Sequence, residues 1–381
     1  MSISVLIAAD FCPKDRIADL IEHDDYINIF GEVKPEIENS DFSIVNFECP
    51  VRKTDGGAIK KAGPSLKCSE KSVEALRYAG FDCVTLANNH FYDQGEIGVR
   101  DTIDALDHAG ILHVGGGLNL AEAKKVLYQR IKGKTIAIIN CCEREWSIAT
   151  ESTGGSNPLD PIQQFYAIKA AKRQSDFVIV IVHGGIEHFQ YPSPRMVETY
   201  RFFVDSGADA VINHHQHCFS GAEKYKGKPI FYGLGNFCFD WQARRTKLWD
   251  EGFMVRLHLS INDGISCDLI PYFQNTEKPG VHFKTTQETQ EWSLRFDAIS
   301  EVIADAKRLR NEYEKLLIRT RRKFLIYLSP YTSRITLSLY MRNLLPLFLP
   351  KKRLYELYNM LSCESHYDRM IDSIKQIIKN D

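Results

Sequence analysis

At 381 residues the chain is long enough for one large core, or for a core plus an appendage, since single cores stop growing at roughly 250–300 residues. Its 44% hydrophobic and 25% charged residues are ordinary for a folded protein and exclude disorder and fibrous repeats. The formal net charge of −1 hides an asymmetry, because residues 307–353 hold 13 Lys and Arg against Glu312 and Glu314, a surplus of 11 that leaves −12 elsewhere.

The chain opens with no basic stretch, and its apolar run 3–9 is too short for a signal peptide, so a cytoplasmic location is expected. Buried strands are predicted at 4–8, 42–47, 81–86, 135–139, 177–182, 208–212 and 230–232, where Val, Ile and Phe cluster. Helical spacing fills several intervals: 69–78 ending at Gly80, 95–108 ending at Gly110, 161–173, and 194–205 ending at Gly207. This alternation predicts a layered α/β architecture with part of the sheet parallel. Residues 252–260 and 267–272, joined by Asn262-Asp263-Gly264, read as an antiparallel hairpin.

Ten cysteines are scattered without paired CxxC spacing and read as buried thiols, with Cys141-Cys142 packing a strand end. From about Thr289 the spacing of Trp292, Phe296, Ile299, Ile303, Ala306, Tyr313, Leu316 and Leu317 is helical, which places a domain boundary at 280–288. The apolar stretch 324–350 is interrupted by Arg334, Arg342 and prolines 330, 346 and 350, so a surface-lying or partner-docking helical tail is expected rather than a membrane span.

Polar side chains able to bind metal follow closely on five predicted strands. Asp10 follows the first and Glu48 the second; Asn88-Asn89-His90 follow the third, His183 the fifth, and Asn213-His214-His215-Gln216-His217 the sixth. The carboxyl ends of strands in an open α/β sheet converge on one crevice, so these residues are expected to share a site. Each alone has an ordinary reading: Asp10 as a turn cap, His183 as a packed histidine, Asn88-Asn89 as turn chemistry. Three histidines within five residues resist it, because crowded imidazoles are costly unless a cation or carboxylates neutralise them. Mixed oxygen and nitrogen donors suit Mn, Fe or Zn.

The motifs Asn46-Phe47-Glu48-Cys49-Pro50, Leu86-Ala87-Asn88-Asn89-His90 with Asp93 and Gly95, Ala109-Gly110-Ile111, the HGGIE segment from His183 to Glu187, Gly207-Ala208-Asp209, the histidine cluster 213–217 and Tyr232-Gly233-Leu234-Gly235-Asn236-Phe237 occur in one order. In these the chain resembles the CapA-type proteins of poly-γ-glutamate and capsule synthesis, a branch of the calcineurin-like metallophosphoesterases. The resemblance runs over residues 4–240. It implies a layered α/β/β/α metallophosphoesterase-like sandwich over 1–284 with a helical basic region over 285–381.

It also implies two divalent metal ions, one held by Asp10 and His217, the other by Asn89, His183 and His215, with Glu48 between them. His90 takes the place of a histidine that contacts the scissile phosphate or protonates the leaving group. Asn46, Asn88, Glu187, His214 and Asn236 are placed as groups that orient a ligand or the substrate. Three departures stand out: Cys12 where the superfamily has histidine, Asn213 and Gln216 in place of Gly and Pro around the histidines, and Gly184 in place of an aromatic.

The implied activity is a metal-dependent hydrolase or phosphoesterase of capsule, exopolysaccharide or poly-γ-glutamate biosynthesis, with metal-activated hydroxide as nucleophile. The alternative is a non-catalytic assembly factor of a membrane-associated polymer-synthesis complex. Many CapA-type proteins carry an amino-terminal membrane anchor that is not seen in this chain, and the basic tail would then provide peripheral contact with the inner membrane face or with that complex. The expected partner is an anionic polymer or phosphorylated substrate, with Lys67 and Arg52 as candidate contacts. No nucleic acid is expected, given the −12 of the main domain.

Overall fold

A computed structural model describes residues 2–54 and 56–325, then 333–346 and 349–362 with Tyr331, Ile374 and Ile378. The chain divides into two compact units, Met1–Arg310 and Asn311–Asp381. Part of the apolar stretch 324–350 lies outside the described residues.

The first unit is built on two sheets. One, of eight strands, runs in the order Val281–Phe283, Gly264–Gln274, Glu251–Ser260, Ile3–Phe11, Phe42–Phe47, Cys83–Thr85 and Leu112–Val114, with Asn236–Cys238 also paired to Ile3–Phe11. The strands from Ile3–Phe11 through Leu112–Val114 are parallel, and those before them antiparallel. The second sheet has six strands, ordered Ala222–Tyr225, Lys228–Phe231, Ala210–His214, Phe177–His183, Lys134–Cys142 and Leu127–Ile131. Helices Lys71–Ala79 and Gly95–Ala109 lie with the first sheet, and Pro161–Lys172 and Pro194–Ser206 pack on the second, giving α/β/β/α layers.

Sequence pattern explains this order. Strands such as Phe177–His183 and Phe42–Phe47 are buried at every position, which is why they read as unbroken apolar runs rather than alternating ones. Gly80 and Gly110, at φ 92° and 71°, end their helices in the left-handed conformation that a side chain disfavours.

Several boundaries differ from the sequence reading. The strand expected at 81–86 shrinks to Cys83–Thr85, and that at 208–212 shifts to Ala210–His214, so His214 lies inside the sheet and not beyond it. The helix expected from Thr289 begins at Thr286, where Thr285 and Glu288 form a reciprocal capping box. Short strands at Leu112–Val114, Leu127–Ile131 and Asn236–Cys238 escaped sequence detection because none carries a long β-branched run.

Helix Thr286–Ala304 belongs to the first unit. Trp292 packs tilted against Phe219 and Phe253, with ring centroids 5.5 and 5.1 Å away, and Phe296 meets Phe253 edge-on at 5.5 Å. Burying each such side chain stabilises the fold by roughly 1.5–3 kcal/mol. Glu251, nearly fully buried, accepts from Arg295 at 2.7 and 2.8 Å and from Lys284 at 3.1 Å, fixing the helix to the sheet.

Among the described residues of the second unit, Arg334–Met341 and Lys351–Ser362 are helical. No described helix is long and apolar enough to cross a membrane.

Candidate metal centre

Strand register brings the predicted residues together. Asp10 pairs with Asn46 on one side and with Asn236 on the other, while His183 lies beside His214 in the second sheet. The loops leaving these strands add Glu48, Asn89, His215 and His217. His215 and His217 both adopt positive φ, 90° and 51°, which is rare outside glycine and turns both imidazoles into the crevice.

Two groups of donor atoms result: Glu48, His183 and His215, and Asp10, Glu48 and His217, each gathered within 4.8 Å. His183 Nε2 is 3.1 Å from both His215 Nδ1 and Asn89 Oδ1, and 3.7 Å from Glu48 Oε1. On the other side, His217 Nε2 is 3.6 Å from the same Glu48 oxygen, and His217 Nδ1 is 3.7 Å from Asp10 Oδ2. Glu48 therefore stands between the groups.

Its surroundings supply the test of fit. Both carboxylate oxygens of Glu48 are buried and have no hydrogen-bond partner. A buried carboxylate without donors is strongly unfavourable unless it is protonated or meets a cation. Burial, and then the nearby Asp10 charge, push the Glu48 carboxyl well above its usual range. Asp10 is raised to about 7 by burial, although hydrogen bonds from Asn46 and the His215 N–H pull it down. His183 and His217 fall well below the ordinary imidazole range through burial and neighbouring histidines. Neutral imidazoles aimed at carboxyls held high are the donor set a divalent cation completes, releasing protons as it binds.

Outer contacts orient these side chains. Asn46 Nδ2 donates to Asp10 Oδ1 at 2.8 Å and lies 3.3 Å from His183 Nδ1, while its own oxygen accepts from Thr85. Asn236 Oδ1 is 2.9 Å from His217 Nδ1, and its amide donates to Trp249 O, so the His217 proton is held on Nδ1 and the Nε2 lone pair turns toward Glu48. The indole of Trp249 packs on the His217 ring with centroids 4.8 Å apart. Asn88 accepts from the His90 N–H and donates to Phe47 O, bracing that loop.

His214 is buried with both ring nitrogens unpartnered, 3.8 Å from Asp10 Oδ1, and burial pushes its pKa down to about 3. Glu187 lies further out, half-exposed, 3.5 Å from Arg244 and 3.9 Å from His188.

His90 sits at the mouth, 6% exposed, whereas Asp10 and Glu48 are at 0%. His90 Nδ1 donates to Asp93 Oδ2 at 2.7 Å and is 3.2 Å from Lys61 Nζ, which is itself paired with the other Asp93 oxygen. Burial lowers the His90 pKa and Asp93 opposes the shift.

Lys61 escaped the sequence reading because its loop has no pattern that marks it. Glu145, whose carboxylate is 3.3 Å from the Asn89 amide, follows the strand Lys134–Cys142 and obeys the same strand-end rule that exposed the others. The departures have structural counterparts: Cys12 lies in the apolar core, and a Cβ on Gly184 would meet Glu143 Cγ at 2.7 Å, so Glu143 fills the space of a larger side chain.

The two sheets with metal-capable donors at their strand ends define a layered α/β/β/α protein with a candidate metal centre. Residues 4–241 match the family model of the bacterial capsule synthesis protein PGA_cap, and the chain belongs to that family of capsule and poly-glutamate biosynthesis proteins. The capsule biosynthesis protein CapA of Bacillus anthracis is 36% identical over 251 residues, covering 64% of this chain and 60% of that protein. The PGA biosynthesis protein CapA of Bacillus subtilis is 34% identical over 238 residues, 62% of each chain. The chain thus spans 60–62% of the length of these curated relatives. Among solved structures, a 5'-nucleotidase precursor from Thermus thermophilus aligns with a TM-score of 0.43 at 12% identity, over 78% of this chain and 58% of that one.

Proposed function

We propose that the chain is a divalent-cation-dependent hydrolase, of the phosphoesterase kind, acting in capsule, exopolysaccharide or poly-γ-glutamate biosynthesis. The observation that carries this reading is Glu48: a carboxylate with no donor of its own, set between two histidine nitrogens and within the electrostatic influence of Asp93, the partner of His90. Glu48, Asn89, His183 and His215 would hold one cation, and Asp10, Glu48 and His217 the other. Bound there, ions of the Mn, Fe or Zn type supply Lewis acidity, which polarises the attacked centre and lowers the pKa of water.

The chain's own residues do the rest. Asn46 and Asn236 hold Asp10 and His217 in position, and Trp249 keeps water from the rear of the cluster. With its Nδ1–H committed to Asp93, His90 presents Nε2 as the atom that carries a proton to the departing oxygen, and Asp93 stabilises the imidazolium. The reading is tested by loading the full chain with Mn²⁺ and assaying phosphomonoesters, phosphodiesters and γ-glutamyl polymers. Turnover that disappears in His90→Ala while cation content persists supports it, and a loaded wild-type chain that turns over none of the three defeats it.

The basic segment 307–353 favours a second reading, in which the chain is an assembly factor of a polymer-synthesis complex. In either case that segment is the surface proposed to meet anionic lipid headgroups or the complex at the cytoplasmic membrane face.

A further inference from the structure

Four residues beyond Glu48 the exit loop carries Arg52, whose side chain is only 4% exposed. Its Nε donates to Gly56 O at 2.9 Å; Nη1 is buried and makes no hydrogen bond, and it is ion-paired with Asp101 Oδ2 at 3.6 Å. Arg52 lines a cleft of about 270 Å³ together with Lys67, Ser69 and Ser72. Ser69 Oγ is likewise buried with no partner. Helix Lys71–Ala79 begins at this wall with no side chain capping its N-terminus; its Ser72 and Val73 N–H groups donate to Ser69 O and Glu70 O, and the positive end of the helix dipole lies beside the serines. Among the described lining residues the exposed Glu22 is the one acid.

A guanidinium nitrogen and a hydroxyl, both buried and both without a hydrogen-bond acceptor, belong to residues that line one cleft. An oxyanion satisfies both at once, accepting a charge-assisted bond from Arg52 and a weaker one from the hydroxyl, with the helix dipole adding a favourable field. We propose that this cleft, reached by the loop that leaves Glu48, is an oxyanion subsite taking a carboxylate or phosphate borne by an anionic chain. Its use by substrate rests on the hydrolase reading; its capacity to bind an oxyanion does not.

Calorimetric titration of inorganic phosphate into the full chain, with Mn²⁺ and again after chelation, tests it. The expected result is binding that survives chelation and weakens by about tenfold or more in Arg52→Gln, with Mn²⁺ content unchanged. Should that variant fold poorly through loss of the Gly56 contact, Ser69→Ala decides, with an expected loss of about threefold. A γ-linked glutamate oligomer titrated in parallel tells a carboxylate chain from a phosphate as the better ligand, and tighter binding of either supports the subsite. Phosphate binding abolished by chelation, or wild-type affinity in both variants, overturns it. A chain that takes up no cation yet keeps chelator-insensitive phosphate binding leaves this subsite standing while the hydrolase reading falls.

Discussion

Replacing Glu48 by Gln preserves the side chain's shape and removes the charge that no neighbour compensates. With no cation, the wild-type carboxyl has no donor to lose, and the new amide lies 3.6–3.7 Å from the His183 and His217 nitrogens. The cation-free variant should therefore be as stable as the wild type at pH 8, or more so. Asp10 sets the pH window. Burial raises its carboxyl from 3.8 to about 7, a preference for the protonated form of about 4 kcal/mol. Because the folded pKa lies above the unfolded one, this contribution is full below pH 4 and lost as pH rises through 7. The cation-free wild type should lose stability over that interval, and a bound cation should cancel the loss by stabilising the ionised carboxylates. Mn²⁺ at about a hundred times its Kd stabilises the fold by about 2.7 kcal/mol, or about 4 °C in Tm for a unit the size of Met1–Arg310. Thermal melts at pH 8 with and without Mn²⁺, paired with metal analysis, read both effects. A Glu48→Gln chain whose Tm rises with Mn²⁺ as much as the wild type's would refute the bridging role of this carboxylate.

Three further outcomes follow from other parts of the molecule. His90→Ala should lower kcat by about 10²–10⁴-fold in the Mn²⁺-loaded chain with cation content unchanged, as measured by phosphoester turnover. Arg295→Ala strips the buried Glu251 of two hydrogen bonds and should destabilise the first unit by about 1–3 kcal/mol in urea titration, with Mn²⁺ uptake intact; an unchanged midpoint would show the pair to be idle. Neutralising the exposed Lys351, Lys352 and Arg353 to Gln should weaken co-sedimentation with phosphatidylserine vesicles, at about 1 kcal/mol per charge, and unaltered sedimentation would exclude these residues from the contact.

Much of this architecture was legible because burial on both faces leaves a plain mark. Strands such as Phe177–His183 are apolar throughout, and the residues that break the run, His183 above all, are the ones the structure gathers. Glycines closing helices at 80 and 110 were equally readable. What stayed hidden depends on long-range geometry. Lys61 reaches His90 from a loop with no periodicity, and the Asn236–Cys238 strand is too short to stand out although it flanks Asp10. Nothing local announces that Glu48 would be left without a donor, since that emptiness is a property of everything packed around it.

The placement of Ile3–Phe11 also bears on how the chain is made. It is synthesised long before its antiparallel neighbour Glu251–Ser260, with Ile3 opposite Leu259. At synthesis rates of about 5–20 residues per second, the nascent strand waits on the order of tens of seconds for that edge to be covered. Such distant pairing slows folding and exposes a sticky apolar ribbon to other chains meanwhile. Helper proteins that shield emerging segments should therefore matter more for this molecule than for one whose strands all pair with near neighbours in sequence.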